Sequence, residues 1–89
     1  MMQTQYRLLS HANITELDSE AVVLDLNTGQ FYGLNDVGLD TVKLLENGAD
    51  LEHLVNEIQK RYDHPIDSIR KDLVALLEQL IETGLIGVE

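Results

Sequence analysis

The hydrophobic period of this chain changes once, near Asn35, and no other feature constrains the fold as much. Before that point, residues 12–35 are typical of β-structure, and the segment 20–26 is rich in β-branched and large apolar residues. After it, apolar residues recur about every 3.6 positions, as they do along the buried face of a helix. The sequence therefore predicts an α+β domain in which a β-rich front half packs against a helical back half.

Three strands are predicted in the front half, over residues 13–17, 20–26 and 30–34. The tetrad Asn27–Gln30 favours a tight turn in which Gly29 supplies a positive φ, so the last two strands are expected to form a hairpin. Residues 6–9 are predicted to be a further extended piece, and residues 1–5 to be frayed.

Three helices are predicted in the back half, each beginning at a residue that can cap a helix N-terminus. Asn35, Asp50 and Asp67 are the predicted caps, because their side-chain oxygens can accept hydrogen bonds from free backbone N–H groups. Gly48 is expected to end the first helix in the left-handed conformation. A short edge strand is expected over 85–88. Together these elements predict a winged helix-turn-helix-like fold, a three-stranded antiparallel sheet followed by three helices.

The length and composition exclude several classes of protein. The 89 residues suit a single domain, 1–89, with a thin core and little room for a deep catalytic cavity. The absence of cysteine excludes disulfides, zinc–thiolate sites and a thiol nucleophile. The longest apolar run is far below the roughly 18 residues that span a bilayer, and the N-terminus does not resemble a signal peptide. We therefore expect a cytoplasmic protein without a membrane partner.

The formal net charge is −10, from 16 carboxylates against six Lys and Arg side chains. Such a surface repels nucleic acid and anionic lipid and favours a neutral or basic partner. A winged-helix protein that binds DNA inserts its third helix into the major groove. Here the predicted third helix carries four acidic and two basic side chains, so the sequence excludes nucleic acid as a partner.

The predicted third helix carries more apolar surface than one packing seam requires. At about 100° per residue, one stripe contains Ile69, Leu73, Leu76 and Leu80 and suffices for a core face. A second stripe beside it contains Arg70, Val74, Leu77 and Ile81. This second stripe either packs on the predicted hairpin or forms one wall of a partly open groove for a ligand.

The predicted strand over Gln30–Leu34 supplies a second candidate wall. At the edge of the sheet, its unpaired backbone groups would accept a peptide as an added strand. Gly33 would let the peptide backbone approach closely. The alternative is a plain meander with a shielded edge, in which the glycine marks a bulge.

No arrangement of side chains in the sequence is typical of catalysis. His11, His53 and His64 are far apart and match no metal-binding motif, and the serines lie outside a GxSxG motif. There is no glycine-rich phosphate-binding loop. The sequence predicts that the chain is not an enzyme and that it has no cofactor and no metal.

Residues 22–38, which read VVLDLNTGQFYGLNDVG, resemble the PqqD family, whose members have an aliphatic run, a turn, aromatic residues and then Leu-Asn before a helix. The segment LLENG at 44–48, the stretch 54–62 and the stretch 72–86 with its Gly-Leu ending are also similar to that family, in the same order and spacing. The resemblance covers residues 12–88.

The resemblance implies a RiPP recognition element, a non-catalytic module that binds the leader segment of a ribosomally synthesised precursor peptide. In that family the leader adds as a strand to the third strand and lies against the third helix. The peptide-binding residues that the resemblance implies are Gln30, Phe31, Tyr32, Gly33 and Leu34 on the strand and Arg70, Leu73, Val74, Leu77 and Ile81 on the helix.

Two kinds of module share this resemblance. One is the stand-alone leader-binding protein of lasso-peptide biosynthesis, which serves a separate leader peptidase and a cyclase. The other is a PqqD-type chaperone that presents its precursor to a radical-SAM enzyme in pyrroloquinoline quinone biosynthesis. The hairpin stretch favours the lasso type, and a winged-helix protein-interaction adaptor is the alternative of another class. A monomer is expected, while a hinge at Asp18–Ser19 would permit a strand-swapped dimer.

Overall fold

The computed structural model describes residues 4–18 and 20–89. Along the described chain the elements are β1 (Tyr6–Leu8), β2 (Ala12–Leu17), β3 (Glu20–Asp25), β4 (Phe31–Leu34), α1 (Asp36–Leu45), α2 (Leu51–Arg61), α3 (Ile66–Glu82) and β5 (Ile86–Val88). The predicted three-stranded antiparallel sheet followed by three helices is confirmed.

The three-stranded sheet has the order β2-β3-β4, so β4 lies at one edge. Val23 on β3 is opposite Ile14 on β2 and Tyr32 on β4. Val23 is fully buried and points towards the helices. Since side chains alternate along a strand, Leu24 and its partner Phe31 point to the opposite, outward face.

The turn of the predicted hairpin is built around Asp25. One carboxylate oxygen of this buried residue accepts hydrogen bonds from the backbone N–H groups of Asn27 (2.9 Å) and Thr28 (3.3 Å). Gly29 then adopts a φ of +79°, a conformation that glycine enters without steric penalty. All of these contacts lie within residues 25–29. The predicted hairpin is confirmed as β3 and β4.

Two of the three predicted helix caps are confirmed. The side chains of Asn35 and Asp50 accept from the N–H groups of Gly38 (2.7 Å) and His53 (2.8 Å). The prediction of a cap at Asp67 is wrong, because α3 begins at Ile66 and Pro65 occupies the cap position without a side-chain hydrogen bond. The proline ring holds φ at −58°, so the chain enters the helix directly after it and Asp67 falls within the first turn.

The two ends of the described chain meet in a second, two-stranded sheet of β1 and β5. The predicted extended piece at 6–9 and the predicted edge strand at 85–88 are confirmed as these strands. Gln5 exchanges two backbone hydrogen bonds with Glu89 (3.2 and 2.8 Å), so the expected fraying does not reach Gln5. Residues 1–3 and Ser19 lie outside the described residues.

The core lies between the inward face of the three-stranded sheet and the helices. Its buried apolar residues come from β3, the three helices, β5 and the connections at 49 and 85: Val23, Val42, Leu45, Ala49, Leu54, Val55, Ile58, Ile69, Leu73, Leu77, Leu80, Leu85 and Ile86. A hydrogen bond joins the end of α2 to α1, where the Tyr62 hydroxyl donates to the Asp40 carboxylate (2.7 Å). That hydrogen bond, with partial burial, raises the pKa of Tyr62 to about 12.

Candidate functional site: an open strand edge beside a cleft

The outer edge of β4 has no strand partner among the described residues. The N–H of Asp25 donates to the carbonyl of Gln30 (2.8 Å). This hydrogen bond fixes which residues of β4 bond to β3, since every second residue of an antiparallel strand does so. Tyr32 and Leu34 therefore direct their backbone groups at β3, whereas Phe31 and Gly33 direct theirs at the open edge. An incoming strand would find two N–H and two C=O groups available there.

A cleft of about 350 Å³ lies between this edge, the start of α1 and the face of α3 that is turned towards β4. We call it the strand cleft. Its apolar floor is formed by Leu34, Val37, Leu73 and Leu76, and its polar rim by Asn35, His64, Asp72 and Gln79. An extended apolar segment bound there would bury side chains against the floor, while its backbone would meet hydrogen-bonding groups at the rim and at the edge of β4.

The cleft continues in both directions along α3. Towards the start of the helix, a pocket of about 170 Å³ is lined by Val37, Ile58, Pro65 and Ile69 together with His64 and Asp72. Towards the end, a narrower space of about 30 Å³ is lined by Tyr32, Leu80 and Thr83. The whole groove follows the length of α3, which suits an elongated ligand better than a compact one.

The predicted strand residues divide between the cleft and the outward face. Gly33 and Leu34 line the strand cleft, and Tyr32 lines its narrow end. The Phe31 side chain points to the outward face with 68% of its surface exposed, although its backbone faces the open edge. Gln30 lies just before β4 and accepts a hydrogen bond from the Tyr32 hydroxyl (3.0 Å).

Of the predicted helix residues, Leu73 alone lines the strand cleft, as part of its floor. Leu77 is 3% exposed and belongs to the core, while Val74 and Ile81 are 37% and 41% exposed and do not line the cleft. Arg70 binds both carboxylate oxygens of Glu52 on α2. Arg70 of the second stripe thus lies on the flank of α3 that meets α2, whereas Val74 and Ile81 stay exposed. The role of the stripe in peptide binding stays a prediction.

The ion pair between Arg70 and Glu52 shifts the pKa of both groups. The hydrogen bond from Arg70 holds the pKa of the Glu52 carboxyl below its usual range, and the same contact raises the pKa of Arg70. Both side chains remain substantially exposed. The pair fixes the side of α3 on which Arg70 lies, and it occupies the guanidinium that the sequence offers to a ligand carboxylate.

Periodicity predicted Ile69, Leu73, Leu76 and Leu80 as the core stripe, whereas the buried residues of α3 are Ile69, Leu73, Leu77 and Leu80. Periodicity also did not show which flank of the buried stripe faces the strand. With Ile69 at 0° and about 100° per residue, the buried face centres near 35°, Leu76 lies near −20° and Asp72 near −60°. On the same scale Val74 and Ile81 lie near 140° and 120°, on the opposite flank. Leu76, Asp72 and Gln79, which line the cleft, were therefore not predicted as site residues.

Two further properties bear on what the site can hold. Within residues 4–18 and 20–89, no His, Asp and Glu side chains converge in a group that could hold a metal ion. In the same described part of the chain, no helix combines the length and the apolar character needed to cross a membrane.

Comparison with known proteins finds a matching family model and solved structures of similar fold. Residues 20–86 match the model of a family described as coenzyme PQQ synthesis protein D (PqqD). TbiB1 in complex with the TbiA(β) leader peptide is 30% identical, with a TM-score of 0.79 over 90% of this chain and 93% of TbiB1. A lasso peptide synthetase B1 complexed with the leader peptide is 24% identical and shares the fold, with a TM-score of 0.79 over 92% of this chain and 96% of the other. No curated protein matches the sequence.

Proposed function

The chain belongs to the PqqD family, and from that premise we propose that it is a RiPP recognition element, which binds the leader segment of a ribosomally synthesised precursor peptide and delivers it to separate processing enzymes. The single observation that carries the proposal is the open edge of β4 beside the strand cleft. An edge strand satisfies a peptide backbone, and the adjacent pocket selects side chains.

The leader binds as a fourth strand of the sheet. Its backbone pairs with the outward N–H and C=O groups of Phe31 and Gly33, at the usual strand separation of about 4.8 Å. Alternate leader side chains then point into the strand cleft and cover Leu34 and Leu76. The free leader is disordered, so ordering it costs free energy, and affinity depends on a few buried apolar anchors together with the strand bonds.

The natural-product class is the lasso peptides in our proposal. TbiB1, at 30% identity over nearly the whole chain, is a protein in complex with a leader peptide, and the second neighbour is a lasso peptide synthetase B1. In this role the chain serves a leader peptidase and a cyclase. The description of the matching family favours a second candidate, in which a PqqD-type chaperone presents its precursor to a radical-SAM enzyme. Reconstitution with each class of enzyme distinguishes the two roles.

The proposed module is not an enzyme and acts without a cofactor. The rim of the strand cleft offers a carboxylate, an imidazole and amides, which suffice to position a peptide. A cytoplasmic location belongs to the proposal because the precursor is a ribosomal product. One chain supplies both the strand edge and the helix face, so a monomer is the proposed binding unit.

Two substitutions on α3 test the proposal and locate the site. We expect Leu76→Asp to lower leader affinity about tenfold or more, because it places a charge against the apolar floor. Val74→Asp, two residues away on the other flank, should bind as the unsubstituted chain does. The measurement is fluorescence polarisation of the labelled leader of the precursor encoded beside the gene of this chain, with circular dichroism as a check of folding.

The reverse pattern, in which Val74→Asp abolishes binding and Leu76→Asp does not, would move the leader to the second stripe. Absence of leader binding by the unsubstituted chain would contradict the proposed function itself.

A further inference from the structure

The row of hydrogen-bonding groups on the open edge of β4 ends where α1 begins. Phe31 and Gly33 direct their backbone groups outwards, and Asn35 is the next residue in that alternation, with an extended backbone (φ −82°, ψ −178°). The carbonyl of Asn35, however, already accepts a hydrogen bond from the N–H of Leu39 (2.8 Å) in α1. An added strand therefore finds no free backbone acceptor on this edge beyond Gly33.

The groove itself continues past this point. The pocket of about 170 Å³ at the start of α3 shares Val37, His64 and Asp72 with the strand cleft. We call these three residues the neck, because they join the two spaces. Beyond the neck the wall includes the apolar side chains of Ile58 and Ile69. A leader segment that passes the neck leaves the strand edge but stays against the protein, so its backbone groups lose water and need other partners.

The neck offers the same two kinds of group as a strand residue. A strand residue presents one N–H donor and one C=O acceptor, whereas here the His64 imidazole has an N–H and the Asp72 carboxylate accepts. Both side chains are exposed. Within residues 4–18 and 20–89, the only imidazole with a ring nitrogen in a hydrogen bond is that of His11, which contacts the carbonyl of Gly84 (2.8 Å). The His64 ring is therefore available to a ligand.

Contacts within the chain hold the His64 ring in place before a ligand binds. The imidazole stacks on the ring of Tyr62, with the centroids 6.5 Å apart and the planes 7° apart. The backbone N–H of His64 donates to the carbonyl of Tyr62 (3.0 Å), and the Tyr62 hydroxyl donates to Asp40 (2.7 Å). A side chain that is already ordered loses little conformational freedom on binding, which favours a hydrogen bond at this position.

The charge around the neck is mostly negative. The charged groups around the imidazole are those of Asp36, Asp40, Arg61, Asp63 and Asp72. Arg61 pairs with Asp40 at 3.4 Å, and no ion pair of the described residues includes the other three carboxylates. The neck can therefore accommodate a positive charge on the imidazole when a leader binds.

We propose that His64 is a leader-binding residue that continues the strand edge where β4 ends: its imidazole N–H donates to a backbone carbonyl of the leader, while Asp72 accepts the neighbouring leader N–H. This inference rests on the proposed leader-binding function and extends the site from the edge of β4 to the start of α3. The neck thereby selects leaders whose bound segment is long enough to pass beyond β4.

The variants His64→Ala and His64→Gln test this assignment, since only the second keeps an N–H donor. His53→Ala is the matched control, because His53 is an exposed histidine of α2 that lines neither the strand cleft nor the pocket beyond the neck. Affinity for the labelled leader of the precursor encoded beside the gene of this chain is measured by fluorescence polarisation from about pH 5.5 to about pH 8, the range in which an imidazole ordinarily titrates. Circular dichroism checks folding.

We expect His64→Ala to lower leader affinity about fivefold at neutral pH, because it leaves a leader carbonyl without its donor. His64→Gln should bind within about twofold of the unsubstituted chain. The affinity of the unsubstituted chain should rise about threefold as the pH falls through about 6.5, since an imidazolium donates a charge-assisted hydrogen bond. This rise should be absent in His64→Gln and retained in His53→Ala.

Shortened leaders separate a contact at His64 from a general effect of the substitution on the fold. The labelled leader is shortened residue by residue from each end in turn. In one of the two series the peptide should lose the carbonyl that His64 binds. From that length onwards, His64→Ala and the unsubstituted chain should bind the peptide equally.

Unchanged affinity in His64→Ala would overturn the inference, as would an equal loss in His64→Ala and His64→Gln. A pH profile that His64→Gln leaves unaltered would also overturn it, and so would a loss in His64→Ala that persists with every shortened peptide that still binds. Absence of leader binding by the unsubstituted chain is a distinct result, which would contradict the proposed function and this inference together.

Discussion

The two flanks of α3 have the same kind of apolar residue but different neighbours. On one flank Leu77 is buried, and Arg70 reaches across to Glu52 of α2. On the other flank Leu76 is only partly buried and borders a cleft of about 350 Å³ beside β4. We call them the closed flank and the open flank. Side-chain type does not distinguish them, whereas the neighbouring element does.

The two flanks differ because a neighbouring helix and a neighbouring edge strand differ in their free backbone hydrogen-bonding groups. A neighbouring helix has its backbone hydrogen bonds within itself, so two helices can interlock their side chains and exclude water. An edge strand keeps a row of free N–H and C=O groups that only another strand satisfies fully. Leu77 and Arg70 of the closed flank therefore serve stability, while Val74 and Ile81 on the same flank remain 37% and 41% exposed. In our proposal the open flank receives the added strand.

The largest expected effect tests the closed flank against the open one. Leu77→Ala should lower the free energy of unfolding by about 3 kcal/mol, because it leaves a cavity in the core. Leu76→Ala should lower it by about 1 kcal/mol, since a partly buried leucine loses less burial. Urea denaturation followed by circular dichroism measures both. Equal losses in the two variants would mean that the flanks do not differ in packing.

The second prediction concerns the free backbone of β4. Gly33→Pro should lower leader affinity about tenfold, since it removes an N–H that faces the open edge and leaves a leader carbonyl unpaired. Gly33→Ala keeps that N–H, and nothing lies within 4 Å of the position of the added methyl group. The alanine variant should therefore bind the leader as glycine does. If alanine weakens binding as much as proline, the N–H is not the group that the leader uses.

The third prediction uses pH to test the hydrogen bond between Tyr62, at the end of α2, and Asp40 of α1. Tyr62→Phe should destabilise the fold by about 1 kcal/mol at neutral pH, because it removes the hydrogen bond to the Asp40 carboxylate. The pKa of Tyr62 is raised from 10.0 to about 12 in the folded chain. The stabilisation is therefore present below about pH 10 and is lost as the pH rises towards 12.

The stabilities of the two proteins should consequently converge over that pH range, and leader affinity at neutral pH should be unchanged. A constant difference in stability up to about pH 12 would show that the Tyr62 hydroxyl does not titrate as the hydrogen bond requires.

The smallest expected effect lies at the rim of the strand cleft. Asp72→Asn should lower affinity for a leader that contains Lys or Arg by about threefold, since exposed charge pairs contribute little. The same variant should reduce the dependence of affinity on salt. Glu78→Gln removes a carboxylate from an exposed position of α3 that does not line the cleft. An identical salt dependence in both variants would remove Asp72 from the site.

Much of the fold could be predicted from short stretches of sequence. The cap at Asn35 depends on one side chain and on an N–H three residues further on. The hairpin turn depends on Asp25 and on a glycine at a positive φ. The cap at Asp67 was wrong for an equally local reason, since Pro65 begins the helix earlier than a search for capping side chains indicates.

The candidate site was predicted by element but only in part by residue. The sequence left open whether β4 has a free edge, and the structure places β4 at the edge of the sheet. Gly33, Leu34 and Leu73 line the adjacent cleft, and their role in binding stays a prediction. Val74 and Ile81 were assigned to the groove wall because they lie beside the core stripe; they do not line the strand cleft, and their role in peptide binding stays a prediction. A helix has two flanks beside its core stripe, and the spacing of apolar residues does not show which flank faces the strand.

The sequence by itself determined the order of the strands and helices, three of the four core residues of α3 and the net charge of −10, from which we expect a neutral or basic partner. The order of the elements and the core residues depend on backbone sterics and on periodicity, which act within a few residues. The net charge depends on composition, which is a sum over the whole chain. Only the tertiary structure decided that Leu76 and Asp72 face β4 while Arg70 faces α2. That choice depends on how segments distant in sequence pack around one core, which no single segment encodes.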